Sequence, residues 1–448
     1  MQDNLTDRFI EELEVFGKTP LEPNTVAQAK NCFLDYLGAT LAGSRMIQEK
    51  GDQMLSFFEA EGQSKVIGFA KRAGLMNAAF INGVSSHVAE LDDGVISGII
   101  HPGSPIISAM LPVAESKRID GLSFLKALVI GYEASVRIAE SIQPNHKLNG
   151  YHATATCGSI GAAIAISTML GYSRDQLKSS ISAACISAAG TLKALEDESQ
   201  LKPYNVGYAA LNAIAASSMG YSGFNPPNDV FQGNRGFFTM MSERFDESAL
   251  FNNGNKLAVE RVYVKPYAAC RYCHPSIDAV FNITKDKRVD PTQIESINIR
   301  TYKWAVEGHD HTEIKGISSA KMSIPYSVAV AIIDGKAGLD QFSNSMIENS
   351  QVKELSKKIS VHSDQKLTAE FPSKSAASLE IVLRDGTVLK DEVDNPKGEP
   401  VNPLNENELL EKFKSLAVYG GKNEKEAHSI IKYNQNLEED ISILMELL

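Results

Sequence analysis

The sequence predicts a mainly α-helical protein, in which a discontinuous helical domain is interrupted by an inserted α+β domain. Three observations lead to this prediction. Residues up to about 260 are rich in Ala, Gly and apolar residues at helical spacing. Beyond that point segments of alternating apolar and polar residues appear, and helical spacing returns from Asn405. We therefore expect residues 1–260 and 405–448 to form the helical domain, and 261–404 to form an α+β lid joined by two crossings that could hinge.

The first half of the chain predicts one helix after another. Apolar residues recur at helical spacing over 25–41, with Asn24 as the expected cap. Ser173 and Gln176 form a capping-box pattern ahead of another helical segment. Further helices are expected over 75–90, 122–142, 158–171 and 177–192. Their content of small residues indicates close helix packing.

The pattern changes in the inserted segment. Strands are expected over 295–302 and 358–363, and a hairpin over 377–393 with Asp385-Gly386 at its turn. An apolar helix is expected between them over 322–335. Beyond this segment, residues 405–419 and 438–448 return to strong helix formers.

Length, charge and cysteine usage restrict the class of protein. At 448 residues the chain exceeds one ordinary core, and its net charge of -11 argues against a nucleic-acid partner. An odd number of cysteines, five, indicates a reducing, cytoplasmic compartment. No basic signal-peptide region is seen, and Lys126, Glu133 and Arg137 interrupt the apolar runs, so no membrane span is expected.

An acidic cluster followed by a histidine marks the first candidate for chemistry. Glu90, Asp92 and Asp93 precede His101, whose backbone is restricted by Pro102. A histidine on a loop held by a helical scaffold is suited to proton transfer. The alternative is a solvated acidic turn in front of a core helix.

Three more stretches place a cation beside Gly or Pro. They contain His152 in GYHAT, Lys202 in LKPY and Lys265 in VKPY. Each alone is typical of a solvated loop residue. Together with His101 they supply two imidazoles and two ammonium groups, which suits binding a di- or tricarboxylate and moving a proton.

Metal and cofactor motifs are weak. Cys270, Cys273 and His274 match the C-x-x-C-H pattern of haem attachment, but no export route or second ligand pair accompanies them, so the thiols are interpreted as packing or pocket-lining residues. His309 and His311 would share one face of a strand, a weak metal hypothesis. No nucleotide-binding loop and no G-x-S-x-G motif occurs. We predict activity without metal or cofactor.

Taken together, these stretches resemble the MmgE/PrpD family. The resemblance covers nearly the whole chain through HVAELDDG with HPGSP, GYHATATCGSIGAA, LKPYNVGYAA, VKPYAACRYCHPSIDAV and SIPYSVAVAIIDG, in family order. It implies a discontinuous helical domain with an α+β lid, and a homodimer. It also implies chemistry at a carbon next to a carboxylate, as in 2-methylcitrate dehydratases, cis-aconitate decarboxylases and iminodisuccinate epimerases.

The resemblance also implies site residues. Catalytic positions correspond to His101, His152, Lys202, Lys265 and Tyr326, and substrate-binding positions to Glu90, Asp93, Arg271 and His274. The acidic motif departs from the family pattern. Where the family commonly has Asp-Phe-Asp-Asp-Thr, this chain has Glu90-Leu91-Asp92-Asp93-Gly94, so an Asp is replaced by Glu and a Thr hydroxyl is lost.

The expected reaction is therefore that of a lyase on a small di- or tricarboxylate. The lysines would hold carboxylates and stabilise enediolate-like charge, and one histidine would take the proton while the other serves the leaving group or returns a proton. Dehydration of the 2-methylcitrate type is the first expectation, with epimerisation and decarboxylation as alternatives. A helical interaction protein that merely keeps the fold is the non-enzyme alternative.

Overall fold

A computed structural model describes residues 4–59, 61–195, 199–251, 256–286, 288–438 and 441–448. The chain divides into two compact units. Unit 1 comprises Met1–Glu196, Leu201–Tyr263 and Asn405–Leu448, and unit 2 comprises Asp197–Gln200 and Val264–Leu404. Helices dominate and the few strands gather mainly in unit 2, which confirms the predicted fold class.

Unit 1 is built from closely packed helices. Its first part contains α1 (Leu5–Lys18), α2 (Pro23–Met46), α3 (Gln48–Phe57), β1 (Ser64–Lys65), β2 (Arg72–Ala73), α4 (Leu75–Val88), α5 (Gly103–Lys117), α6 (Gly121–Glu140), α7 (Asn145–Leu148), α8 (Ala153–Met169), α9 (Arg174–Ser187), α10 (Lys202–Tyr221), α11 (Phe237–Met241) and α12 (Glu247–Leu250), with 3-10 turns at Leu192–Leu195 and Ala258–Glu260. Helix α6 packs on α8, and α10 packs on α4, α8 and α9. Small residues permit this approach, since a Cβ on Gly161 would lie 2.5 Å from the Ser135 side chain.

Two predicted helix starts had different outcomes. The capping box of Ser173 and Gln176 is present at the start of α9, as predicted. The Asn24 cap was wrong, because α2 begins at Pro23 and its N-cap is Glu22. Proline favours the first helical position, which moves the start two residues earlier, from 25 to Pro23. The Asn24 side chain instead donates to Glu260 at 2.9 Å.

Unit 2 contains a four-stranded sheet in the order β4-β3-β5-β6. Its helices and strands are α13 (His274–Thr284), β3 (Ile294–Thr301), α14 (Lys303–Val306), α15 (Ile317–Met322), α16 (Ile324–Asp334), α17 (Asn344–Ile347), α18 (Ser350–Ser356), β4 (Ile359–Ser363), α19 (Gln365–Glu370), β5 (Ala377–Leu383) and β6 (Val388–Val393), with 3-10 turns at Arg271–Cys273, Pro291–Gln293 and Leu339–Phe342. Strand β3 is parallel to β4 and antiparallel to β5, and Asp385-Gly386 turns the β5–β6 hairpin as predicted. His309 and His311 do not lie on a strand, because they follow α14 in a loop.

The C-terminal segment completes unit 1. It contains α20 (Glu406–Tyr419), α21 (Glu424–Gln435) and α22 (Ser442–Leu447), and α20 packs on α2. Glu439 and Asp440, part of the last predicted helix, lie outside the described residues. The Lys412 ammonium on α20 donates to Asp35 at 2.5 Å and to the Leu91 carbonyl at 2.9 Å, so this segment supports the loop after α4. Among the described residues, no helix is both long enough and apolar enough to cross a bilayer.

Candidate active site

The loop between α4 and α5 carries the acidic cluster that the sequence analysis selected. Glu90, Asp92 and Asp93 are all buried. Glu90 has a φ of 57°, a left-handed conformation that costs a non-glycine residue about 1 to 3 kcal/mol. Such a cost is tolerated where neighbouring contacts fix the side chain. Here the Glu90 carboxylate pairs with Lys202.

Asp93 occupies a buried hydrogen-bonded position. The Tyr132 hydroxyl donates to Oδ2 at 2.7 Å, and the Gly103 backbone N–H donates to Oδ1 at 3.1 Å. Burial, with contributions from the charges of Asp35 and Asp92, raises the pKa of Asp93 to about 7. Asp93 therefore changes protonation state near neutral pH, unlike an exposed carboxyl group.

We expect Asp93→Asn to reduce the pH dependence of stability. With the pKa of Asp93 raised from 3.8 to about 7, its stabilising contribution is full below pH 3.8 and is lost as the pH rises through 7. The loss amounts to roughly 4 kcal/mol across that interval. An amide does not titrate, so the free energy of unfolding in urea should fall less for the variant between about pH 5 and 8. An equal fall in both proteins would contradict the shifted pKa.

His101 lies two residues before the start of α5, and its hydrogen bonds define the tautomer of its neutral ring. Its backbone N–H donates to the Thr154 hydroxyl at 3.1 Å, and its Nδ1 lies 2.6 Å from the Asp93 carbonyl oxygen. Because a carbonyl only accepts, Nδ1 must carry a proton. The basic atom of the neutral ring is therefore Nε2. The Asp92 carboxylate lies 3.6 Å from Nδ1 and stabilises a positive charge on this ring.

His152, the N-cap of α8, has the opposite tautomer. The Asn205 amide nitrogen donates to the Thr191 carbonyl at 3.1 Å, which fixes the orientation of the amide. The same nitrogen lies 3.3 Å from His152 Nδ1, so Nδ1 accepts and the proton of the neutral ring is on Nε2. Burial, with the nearby His87, Lys202 and His101, lowers the pKa of His152 well below 6.5. His152 is therefore a neutral hydrogen-bond donor at pH 7.

His87 is a third histidine of this cluster, which the sequence analysis did not select. Its Nδ1 lies 2.7 Å from Asp92 Oδ2, so a carboxylate orients the ring, and its Nε2 is buried without a hydrogen-bond partner among the described residues. Its ring centroid lies 5.2 Å from that of His101 and 5.7 Å from that of His152. The available signal was a histidine in the last turn of an apolar helix just ahead of the acidic cluster.

Lys202 contributes a positive charge to this cluster. It is the first residue of α10, and Pro203 follows in the first turn. Only 14% of its side chain is exposed, and its ammonium pairs with Glu90, whose side chain is 8% exposed. Unit 1 thus brings together the following predicted site residues: Glu90, Asp93, His101, His152 and Lys202.

The remaining predicted residues belong to unit 2. Lys265 is buried there. Arg271 donates to Glu399 at 2.7 and 3.0 Å and lies 3.0 Å from His274 Nδ1, and His274 Nε2 lies 3.1 Å from the Ala269 carbonyl. The buried Tyr326 hydroxyl donates to the Gln341 carbonyl at 2.7 Å.

These contacts give Arg271, His274 and Tyr326 structural tasks within unit 2. A buried guanidinium paired with a carboxylate is costly to disturb, because removal of either partner leaves a charge out of water. Their predicted roles toward substrate remain predictions, and the reaction proposed below does not depend on them.

Two models of known protein families match this chain. The MmgE/PrpD N-terminal domain matches residues 8–249, and the MmgE/PrpD C-terminal domain matches residues 267–439. This chain belongs to the MmgE/PrpD family. The resemblance inferred from its motifs is thereby confirmed.

Curated relatives of this MmgE/PrpD protein match it over nearly the whole of both chains. The cis-aconitate decarboxylase of Homo sapiens is 25% identical, over 100% of this chain and 95% of that protein. The cis-aconitate decarboxylase of Aspergillus terreus is 25% identical, over 95% of this chain and 92% of that protein. The cis-aconitate decarboxylase-like protein oryM of Aspergillus oryzae is 27% identical, over 93% of this chain and 91% of that protein. All three are named as cis-aconitate decarboxylases or as a similar protein, and decarboxylases are lyases.

The structure explains why glycine occupies position 94 of this MmgE/PrpD protein. Gly94 and Tyr263 exchange backbone hydrogen bonds of 3.2 and 2.8 Å. A Cβ on Gly94 would lie 2.3 Å from the Tyr263 hydroxyl oxygen. The Tyr263 ring centroid is also 6.2 Å from that of His101. A tyrosine hydroxyl therefore occupies the space that a side chain at position 94 would need.

Among the residues that the structure describes, no group of three or more His, Cys, Asp or Glu side chains could hold a metal ion. His87 and His101 both lie near Asp92. However, the same nitrogen of each ring faces Asp92 Oδ2, at 2.7 and 3.6 Å. This arrangement orients two rings around a carboxylate.

Proposed function

We propose that this MmgE/PrpD protein is a lyase that decarboxylates a small unsaturated tricarboxylate of the cis-aconitate type. The observation that carries the proposal is the pair of histidines with opposite tautomers, His101 and His152, beside the Lys202 ammonium. One ring offers a basic nitrogen and the other offers an N–H, so the cluster can move a proton and stabilise negative charge. The names of the curated relatives support decarboxylation as the reaction.

The proposed step breaks the bond between carbon and one carboxylate. Carbon dioxide leaves, and its electron pair remains on the substrate carbon framework, where it is delocalised toward a remaining carboxylate. The neutral His152 donates a hydrogen bond to that charge through Nε2, and Lys202 adds a positive charge nearby. The basic Nε2 of His101 takes a proton from solvent and gives it to carbon, and the nearby Asp92 carboxylate stabilises the imidazolium in between.

His87 has a positioning role in this proposal. Its bond to Asp92 keeps that carboxylate oriented between two rings, and the Ser104 hydroxyl donates to the same oxygen at 3.0 Å. Asp92 is therefore fixed where it stabilises a positive His101. Sequence-based expectations not used in the proposed step remain predictions, namely a second cation from Lys265, a homodimer and a cytoplasmic location.

The test is turnover by the purified full-length chain. We expect carbon dioxide release from cis-aconitate and a decarboxylated product by NMR, with His101→Asn lowering kcat by roughly 10²- to 10⁴-fold. His362→Asn, an exposed histidine on β4, is the matched control and should retain the wild-type rate.

Two results would overturn the proposal. One is dehydration of 2-methylcitrate without decarboxylation of cis-aconitate, which would favour the dehydratase predicted from the sequence. The other is a His101→Asn variant as active as the His362→Asn control, which would remove the proton carrier.

A further inference from the structure

Two motifs in unit 2 that the proposed reaction does not use meet in the fold. Cys270 comes from the C-x-x-C-H segment, and His309 comes from the His-Asp-His segment. Cys270 Sγ lies 3.4 Å from His309 Nε2. We propose that Cys270 and His309 form a nucleophilic thiol site, which is covalently modified by soft carbon electrophiles such as α,β-unsaturated carboxylates.

The hydrogen bonds define the direction of proton transfer in this pair. His309 Nδ1 lies 2.8 Å from the Glu307 carbonyl oxygen, so Nδ1 carries a proton and donates it. The neutral ring then presents the Nε2 lone pair to the thiol. A thiol bonded to an imidazole whose other nitrogen is held by a carbonyl is the arrangement of an activated cysteine.

The backbone holds both residues in place. The Cys270 N–H donates to the Lys321 carbonyl at 2.8 Å, and the His309 carbonyl accepts from the Ile324 N–H at 2.8 Å. The Tyr272 ring packs edge-on against the His309 ring, with centroids 5.1 Å apart. The positions of Cys270 and His309 are therefore fixed by two backbone hydrogen bonds and a ring contact within unit 2, in addition to the contact between their side chains.

Exposure separates Cys270 from the other thiols of the chain. Cys270 is partly exposed, whereas Cys32, Cys157, Cys185 and Cys273 are buried. Burial raises the pKa of the Cys157 thiol to about 12 and that of the Cys32 and Cys185 thiols well above 9.0. The chain thus supplies four unreactive cysteines as internal controls.

The chemical step needs no oxidant or metal. The Cys270 proton passes to His309 Nε2, and sulfur forms a bond to the β-carbon of the conjugated alkene. The π electrons move to the α-carbon, which takes the proton back from the His309 imidazolium. The product is a thioether with no net change of oxidation state. With iodoacetamide, sulfur displaces iodide and the proton leaves through the same imidazole.

The test measures alkylation of the full-length protein by iodoacetamide, and then by monomethyl fumarate, with peptide mass spectrometry. We expect Cys270 to react about tenfold faster than the same cysteine in the urea-unfolded chain, with both reagents. His309→Gln keeps a hydrogen-bond acceptor but removes the proton acceptor, and should lower the rate about tenfold. His311→Gln, two residues away, is the matched control and should leave the rate unchanged.

Circular dichroism establishes that each variant is folded, and His309→Ala provides a second variant for the same comparison. The proposal is overturned if Cys270 reacts no faster than in the unfolded chain, or if His309→Gln and His311→Gln behave alike. Preferential labelling of Cys273 would overturn it as well. Since every group involved belongs to unit 2, failure of the decarboxylation assay leaves this result unaffected.

Discussion

Replacing His152 with alanine is expected to lower kcat by roughly 10²- to 10⁴-fold, measured as carbon dioxide release from cis-aconitate. The residue is buried and its pKa is lowered well below 6.5, first by burial, so the ring enters the reaction as a neutral donor. In the proposed step, alanine removes the N–H that donates to the developing negative charge.

The tautomer can be tested separately through Asn205. In Asn205→Asp the group facing His152 Nδ1 becomes an acceptor, which draws the proton to Nδ1 and leaves Nε2 without one. We expect this variant to lose nearly as much activity as His152→Ala while keeping the ring. Asn212→Asp is the control, because it introduces the same charge on α10 at a residue bonded to Ser159 and Ser187. Similar kinetics for the two Asp variants would refute the tautomer assignment.

The second large effect is expected from the pair of Lys202 and Glu90. Lys202→Met removes the cation that pairs with the buried Glu90 carboxylate, which should cost roughly 3 kcal/mol in the free energy of unfolding by urea. The same change removes a positive charge from the site, so activity should also fall. The double variant Lys202→Met with Glu90→Gln removes both charges and should recover most of the stability.

The double variant separates the two roles of Lys202. If the lysine stabilises charge in the reaction, activity should stay low when stability has returned. Recovery of activity together with stability would show that Lys202 acts only by holding Glu90. Glu90→Gln alone is the control, because it removes the charge of Glu90 and keeps Lys202 in place.

Features that depend on neighbouring residues were predictable from the sequence. The α9 capping box and the hairpin turn at Asp385-Gly386 follow from side chains within three residues of the structure they define. The Asn24 cap failed because two local rules competed, and proline at the first helical position prevailed. The motifs also selected Glu90, Asp93, His101, His152 and Lys202, which unit 1 brings together.

The detailed chemistry of the site could not be predicted in this way. The tautomer of His152 depends on Asn205, whose amide is oriented by the Thr191 carbonyl. The glycine at position 94 was interpreted as a lost hydroxyl, whereas the structure places the Tyr263 hydroxyl in that space. Both effects join residues far apart in the chain, and no local pattern encodes them.

The hydrogen bond from Lys412 to the Leu91 carbonyl can form only late in synthesis. The loop that carries the acidic residues is tied through the Leu91 carbonyl to α20, which the ribosome makes only after all of unit 2. Until then, the face of α2 around Gly38 is without the Phe413 and Leu416 side chains that later cover it. Domains usually fold as they are made, N-terminal part first. In this chain unit 2 is fully synthesised before unit 1 can close, so the nascent protein must keep an unfinished core soluble until its last helices emerge.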